Sequence, residues 1–106
     1  MIKINYHYDE NFRRKGFTIT GHAEFAPHGE DIVCAAVTSN AVAIINSLEI
    51  LAKAKFHSQV GKEGFIEGIV TDDSLNEKTD LLLEHFELAM KEIKQDYPKY
   101  IKILKK

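Results

Sequence analysis

The chain has 106 residues, with 14 Lys and Arg against 16 Asp and Glu and a formal net charge of −2. That length suits a single domain over residues 1–106 with one core, and the near balance of charge excludes a large nucleic-acid footprint, which needs a basic excess. The single cysteine, Cys34, excludes an internal disulfide framework and a zinc site built from several thiolates.

No apolar run reaches the roughly 18 residues expected of a membrane span, and residues 1–10 carry no signal-peptide pattern. The expectation is a soluble protein of the cytoplasm. Ile2, Ile4, Tyr6 and Tyr8 alternate with Lys3, Asn5 and His7, the period of a half-buried strand. Asp9-Glu10-Asn11 reads as a polar turn, and Phe17, Ile19 and Gly21 alternate with Thr18, Thr20 and His22 in a second strand. Residues 23–30 follow neither period, and Pro27 and Gly29 mark them as a loop.

A long helix is expected from an N-cap at Asp31 to about Lys53, with Val33, Val37, Ala41, Ile44, Ile45, Leu48, Leu51 and Ala52 on its apolar stripe. Being apolar on most sides, it should be largely buried. Phe56 to Val60 and Phe65 to Val70 read as two strands joined by Gly61-Lys62-Glu63-Gly64. Ser74-x-x-Glu77 predicts a capping box opening a second helix. Its stripe is Leu75, Leu82, Phe86, Ala89 and Ile93, with Leu83 and Met90 alongside, and Tyr97-Pro98 ends it. Ile101 and Ile103 alternate with Tyr100 and Lys102 in a last strand. The order is ββαββαβ: an α+β domain with a mostly antiparallel sheet packed with two helices.

One stretch invites chemistry. With Asp31 as N-cap, Cys34 is the third helical residue, where unpaired amides and the positive end of the helix dipole favour a thiolate. A helix end contributes about 0.3–1 kcal/mol, up to ~2 in favourable burial, which lowers a thiol pKa of about 8.5 by roughly one unit, and Glu30 and Asp31 oppose it. A reactive thiol here needs a partner. His22, on the strand that leads into the loop delivering Cys34, is the candidate general base, with Gly21 beside it allowing close backbone approach. Amides of the first helical turn are candidate oxyanion donors.

Other readings stand beside this one. A lone cysteine among Ile32, Val33 and Ala35 can be a small buried hydrophobe, and a strand-end histidine can be a solvated side chain. His28, in a loop with Pro27 and Gly29, suits a lid better than a fixed base. Asp31 caps the helix or orients His22, and Thr38, one turn beyond Cys34, bonds near the thiol or back to its own helix. His7, His57 and His85 read as surface residues, and Arg13-Arg14-Lys15 as a solvated turn.

At Gly21-His22-Ala23 and Gly29-x-Asp31-Ile32-Val33-Cys34-Ala35-Ala36-Val37 the sequence resembles the bacterial ribosomal-processing cysteine protease family, and the likeness extends over the whole chain. The resemblance implies a homodimeric α+β cysteine endopeptidase without cofactor or metal. Its substrate would be the N-terminal extension of a large-subunit ribosomal protein, number twenty-seven of that set, cut after an aromatic residue in a short hydrophobic motif. It places the nucleophile on Cys34 and the histidine on His22. The loop of residues 23–30, with Phe25, His28 and Gly29, becomes the cover over the substrate. No direct contact with nucleic acid or membrane is implied. Thr38 stands where members often carry serine and keeps the hydroxyl.

Two rivals belong to other classes. One is a non-catalytic ribosome-assembly or adaptor module binding the same ribosomal protein, with Cys34 structural. The other is an acyl-transfer or thiol-redox protein, the redox form disfavoured because no second cysteine can resolve a sulfenate.

Overall fold

The computed structural model describes residues 1–22, 31–61 and 64–105. Five strands and two α-helices occur in the expected order: β1 (Ile2–Tyr8), β2 (Arg14–Thr20), α1 (Ile32–Ile50), β3 (Phe56–Val60), β4 (Ile66–Val70), α2 (Glu77–Asp96) and β5 (Ile101–Lys105). The sheet runs β3-β4-β2-β1-β5. Antiparallel pairs join β1 to β2, β2 to β4 and β3 to β4, while β5 lies parallel to β1 with Ile2 beside Ile101 and Ile4 beside Ile103. The sheet is therefore mixed, with antiparallel pairing dominant.

The period of two sorts the sheet into faces. Ile2, Ile4, Tyr6, Phe17, Ile19, Ile66, Val70 and Ile101 are buried on the face that both helices cover. Phe86 of α2 stacks on Phe17 with centroids 4.0 Å apart and meets Tyr6 edge-on at 6.3 Å. The opposite face is polar. There His7 Nε2 lies 2.7 Å from Thr18 Oγ1, which donates to Glu67 Oε2 at 2.8 Å, so the hydroxyl's one proton goes to the carboxylate and the ring nitrogen donates. His7 is thus half-buried in a three-strand network and is not the surface residue expected; His57 and His85 are exposed.

The helix ends differ from the sequence reading for local reasons. α1 stops at Ile50, not near Lys53. Lys53 takes φ 51°, and the amides of Ala52 and Ala54 reach back to the Ser47 and Leu48 carbonyls, wider bonds that end the regular helix. Leu51, the C-cap, is 65% exposed and leaves the stripe, while Ala52 stays buried. α2 is capped by Asn76, whose side chain accepts from the Lys78 and Thr79 amides while the Thr79 hydroxyl accepts from the Asn76 amide. The Ser74–Glu77 box does not form, because the Ser74 hydroxyl accepts from the Lys55 amide at 2.9 Å and Asp72–Ser74 form a separate 3-10 turn. The innermost line of α2 is Thr79, Leu83, Phe86 and Met90, with Leu75, Leu82, Ala89 and Ile93 half-buried beside it.

Two wider expectations also change. The Arg13-Arg14-Lys15 turn is tied down: Arg13 donates twice to Asp80, Arg14 bonds Glu87, and Lys15 meets Asp72 at 2.8 Å. And α1 is not largely buried. Val33, Val37, Ala41, Ile44, Ile45 and Leu48 enter the core, but Ala35, Thr38, Ser39, Ala43, Asn46 and Ile50 face outward. This helix of 19 residues, with a mean hydropathy of 1.5 over an 18-residue window, is long and apolar enough to cross a membrane by length and composition alone, contrary to the sequence reading. The same pattern fits a core helix, which is how the fold uses it.

Candidate active site

α1 begins where the sequence reading put it. Asp31 is extended (φ −79°, ψ 99°), and its Oδ1 accepts from the amides of Val33 and Cys34, each at 3.0 Å. That cap fixes the first turn and makes Cys34 its third residue, half-buried at the edge of the core. It also corrects the oxyanion expectation in part. The Val33 and Cys34 amides are engaged by Asp31, so a developing oxyanion would have to displace the carboxylate or use other donors.

β2 delivers the histidine. The strand ends at Thr20, and Gly21 follows with φ 87°, a left-handed turn that glycine adopts without strain. A Cβ at Gly21 would collide with the Met1 carbonyl oxygen, so the start of β1 and the end of β2 touch here. His22, directly after, is half-buried.

The two side chains share one cleft. A cavity of about 550 Å³ is lined by Gly21, His22, Asp31, Cys34 and Thr38, which are five of the residues singled out in the sequence. Its apolar floor is Ile2, Ile19, Val37 and Ile66, and Val60, Gly61 and Gly64, at the end of β3 and in the β3–β4 connection, close one side. Phe25, His28 and Gly29 lie outside the described residues. The sequence reading missed Val60, Gly61, Gly64 and the three isoleucines as cleft residues. Their periods and turn chemistry marked them as strand and hairpin, and only the sheet order brings them to the helix N-terminus.

This architecture restricts the chemistry. A thiol at a helix start that shares a cleft with an imidazole is an arrangement nucleophilic acyl chemistry can use, and with one cysteine in the sequence dithiol exchange within the chain has no second thiol. The class is that of the thiol hydrolases, and known proteins make it specific. The family model described as Cysteine protease Prp matches residues 1–102, and the chain belongs to that family of cysteine proteases. The ribosomal processing cysteine protease Prp of Bacillus subtilis (strain 168) is 32% identical over 93 residues, covering 82% of this chain and 81% of that protein. Among solved structures, the essential ribosomal processing protease Prp of S. aureus with a covalently linked product peptide gives a TM-score of 0.91 at 20% identity, covering 100% of both chains. A protein of Streptococcus mutans gives 0.83 at 28% identity, covering 100% of this chain and 96% of the other.

Proposed function

We propose that this protease removes the N-terminal extension of large-subunit ribosomal protein number twenty-seven, with Cys34 as nucleophile and His22 as general base. The observation that carries this reading is the single cleft holding both side chains over an apolar floor. The name of the Bacillus subtilis relative supports a ribosomal-protein precursor as substrate, as does the S. aureus structure described in complex with a substrate peptide.

The chemistry follows from the groups present. His22 takes the Cys34 proton as Sγ attacks the scissile carbonyl carbon. The protonated ring then gives that proton to the departing amine as the C–N bond breaks. Water, deprotonated by His22, cleaves the thioester and restores the thiol. An aromatic side chain next to the cut would bury apolar surface against Ile19, Val60 and Ile66, each buried Å² contributing about 25 cal/mol. The outward face of α1, with Ala43 and Ile50, supports a homodimer closed by a second copy of this helix, and a ribosomal substrate is met in the cytoplasm.

The test is to incubate the purified chain with the extended ribosomal protein and follow its mass. The precursor should lose its extension with the native chain and stay intact with Cys34→Ala, and His22→Ala should slow cleavage by about 100-fold or more. A folded Cys34→Ala chain that still cleaves would refute the assignment.

A further inference from the structure

Gly64 sits at the end of the β3–β4 connection with φ 73°, and nothing in the proposed chemistry requires it. Its surroundings give it a purpose. A Cβ built on Gly64 would collide with the Gly21 carbonyl oxygen and lie 3.1 Å from the Gly21 carbonyl carbon and 3.2 Å from Cε1 of His22. Ordinary carbon–carbon contact begins at about 3.5 Å. Any side chain at Gly64 would therefore press on the turn that presents the histidine and on the Cε1 edge of its ring. On the other side of that turn, Gly21 leaves no room between itself and the Met1 carbonyl. The segment carrying His22 is thus held between β1 and the β3–β4 hairpin, with a residue lacking a side chain at each contact.

We propose that Gly64 is a positioning residue: by having no side chain, it lets the β3–β4 hairpin brace the His22 imidazole at the angle from which it addresses Cys34. Cε1 is the ring carbon bonded to both nitrogens, so pressure there moves whichever nitrogen faces the thiol. Gly64 also lines the same cleft as His22 and Cys34. A misplacement of about 1 Å in a reacting group is enough to lower a rate by roughly 100-fold. The proposal rests on His22 being the general base, and its test separates the two ideas.

Two variants divide the roles of Gly64. Gly64→Ala adds a Cβ and also strains the left-handed backbone; Gly64→Asn adds a Cβ to a residue that tolerates that backbone. Both should lower kcat by about 10- to 100-fold, with KM within about threefold and a displaced acid limb of the rate–pH profile. Asn should recover thermal stability relative to Ala without recovering kcat. A folded Gly64→Asn chain with native kcat and pH profile would overturn the proposal and leave Gly64 as a turn residue only. Should neither variant fold, the native chain decides: a nuclear Overhauser contact between Gly64 Hα and His22 Hε1 is required, and its absence refutes the brace. If the native chain cuts no ribosomal precursor, the substrate reading falls. The pH dependence of Cys34 alkylation by iodoacetamide, native against Gly64→Asn, then still reports whether Gly64 sets the histidine–thiol geometry: a shift supports the brace and identical curves refute it.

Discussion

Removing the cap at Asp31 tests whether the first turn of α1 is held as the structure shows. One carboxylate oxygen accepts from both the Val33 and the Cys34 amides at 3.0 Å. Replacing such a cap with alanine costs about 0.5–2 kcal/mol. For a chain of this size the unfolding entropy is roughly 0.2 kcal/mol per kelvin, so Asp31→Ala should lower Tm by about 2–9 °C. Asp31→Asn keeps an acceptor of equal capping strength and loses only the attraction of a charge for the helix N-terminus, about 0.3–1 kcal/mol or roughly 1–4 °C. Thermal melts by circular dichroism at neutral pH and matched salt measure both. Because the cap fixes the turn that carries Cys34, Asp31→Ala should also lose more peptidase activity than Asp31→Asn. Equal losses of Tm in the two variants would show that charge, and not the paired hydrogen bonds, holds the turn. A loss under about 1 °C in Asp31→Ala would refute the cap as a stabilising element.

Two further outcomes follow from groups away from the cleft. The Tyr6 hydroxyl is buried and has no hydrogen-bond partner among the described residues, and burial, with Glu87 and Tyr8 nearby, pushes its pKa well above the usual 10. Below pH 10 Tyr6 stays neutral in both states. Above it the unfolded chain ionises first, so stability falls with rising pH; Tyr6→Phe should melt close to the native chain at pH 7 and lose less stability at pH 11 in thermal melts. Asp80 is held below its usual carboxylate value of 3.8, chiefly by its hydrogen bond from Arg13. Its contribution is present above that value and fades as pH falls through the lower folded value, so Arg13→Ala should lower Tm slightly at pH 6 and converge on the native chain near pH 2.

The elements legible in the sequence were those governed by local period. The alternation through Ile2–Tyr8, the apolar spacing from Val33 to Leu48 and the extended backbone at Asp31 each follow from neighbours a few residues away. What the sequence did not disclose was settled by distant partners. Arg13 reads as a solvated turn residue until α2 places Asp80 beside it, 67 residues along the chain. Ser74 reads as a helix cap until its hydroxyl is taken by Lys55, 19 residues back. The end of α1 was missed because a lysine, not a glycine, takes the left-handed position that closes it. The site shows the same division. Cys34 and His22 stood out by type and spacing, whereas Gly64 reads as an ordinary hairpin glycine until the fold presses it against His22.

The cleft is also not separable from the core, and this shapes how its specificity can change. Ile2, Ile19, Val37 and Ile66 line the cavity yet are at most 4% exposed. The same side chains that pack the sheet against α1 would touch a bound peptide. On the proposed reading, an apolar substrate residue would extend an existing core surface. Truncating any of the three isoleucines therefore perturbs two things at once, because large-to-small changes at such positions cost about 2–5 kcal/mol of stability before substrate is considered. Val60 differs. It lies at the end of the edge strand β3, lines the same cavity and is 63% exposed. A change in size there reshapes the mouth of the cleft without opening a hole in the core. If the proposed peptide occupies this cleft, the edge strand is where its fit can be retuned while leaving intact the packing that holds Cys34 and His22 on one cleft.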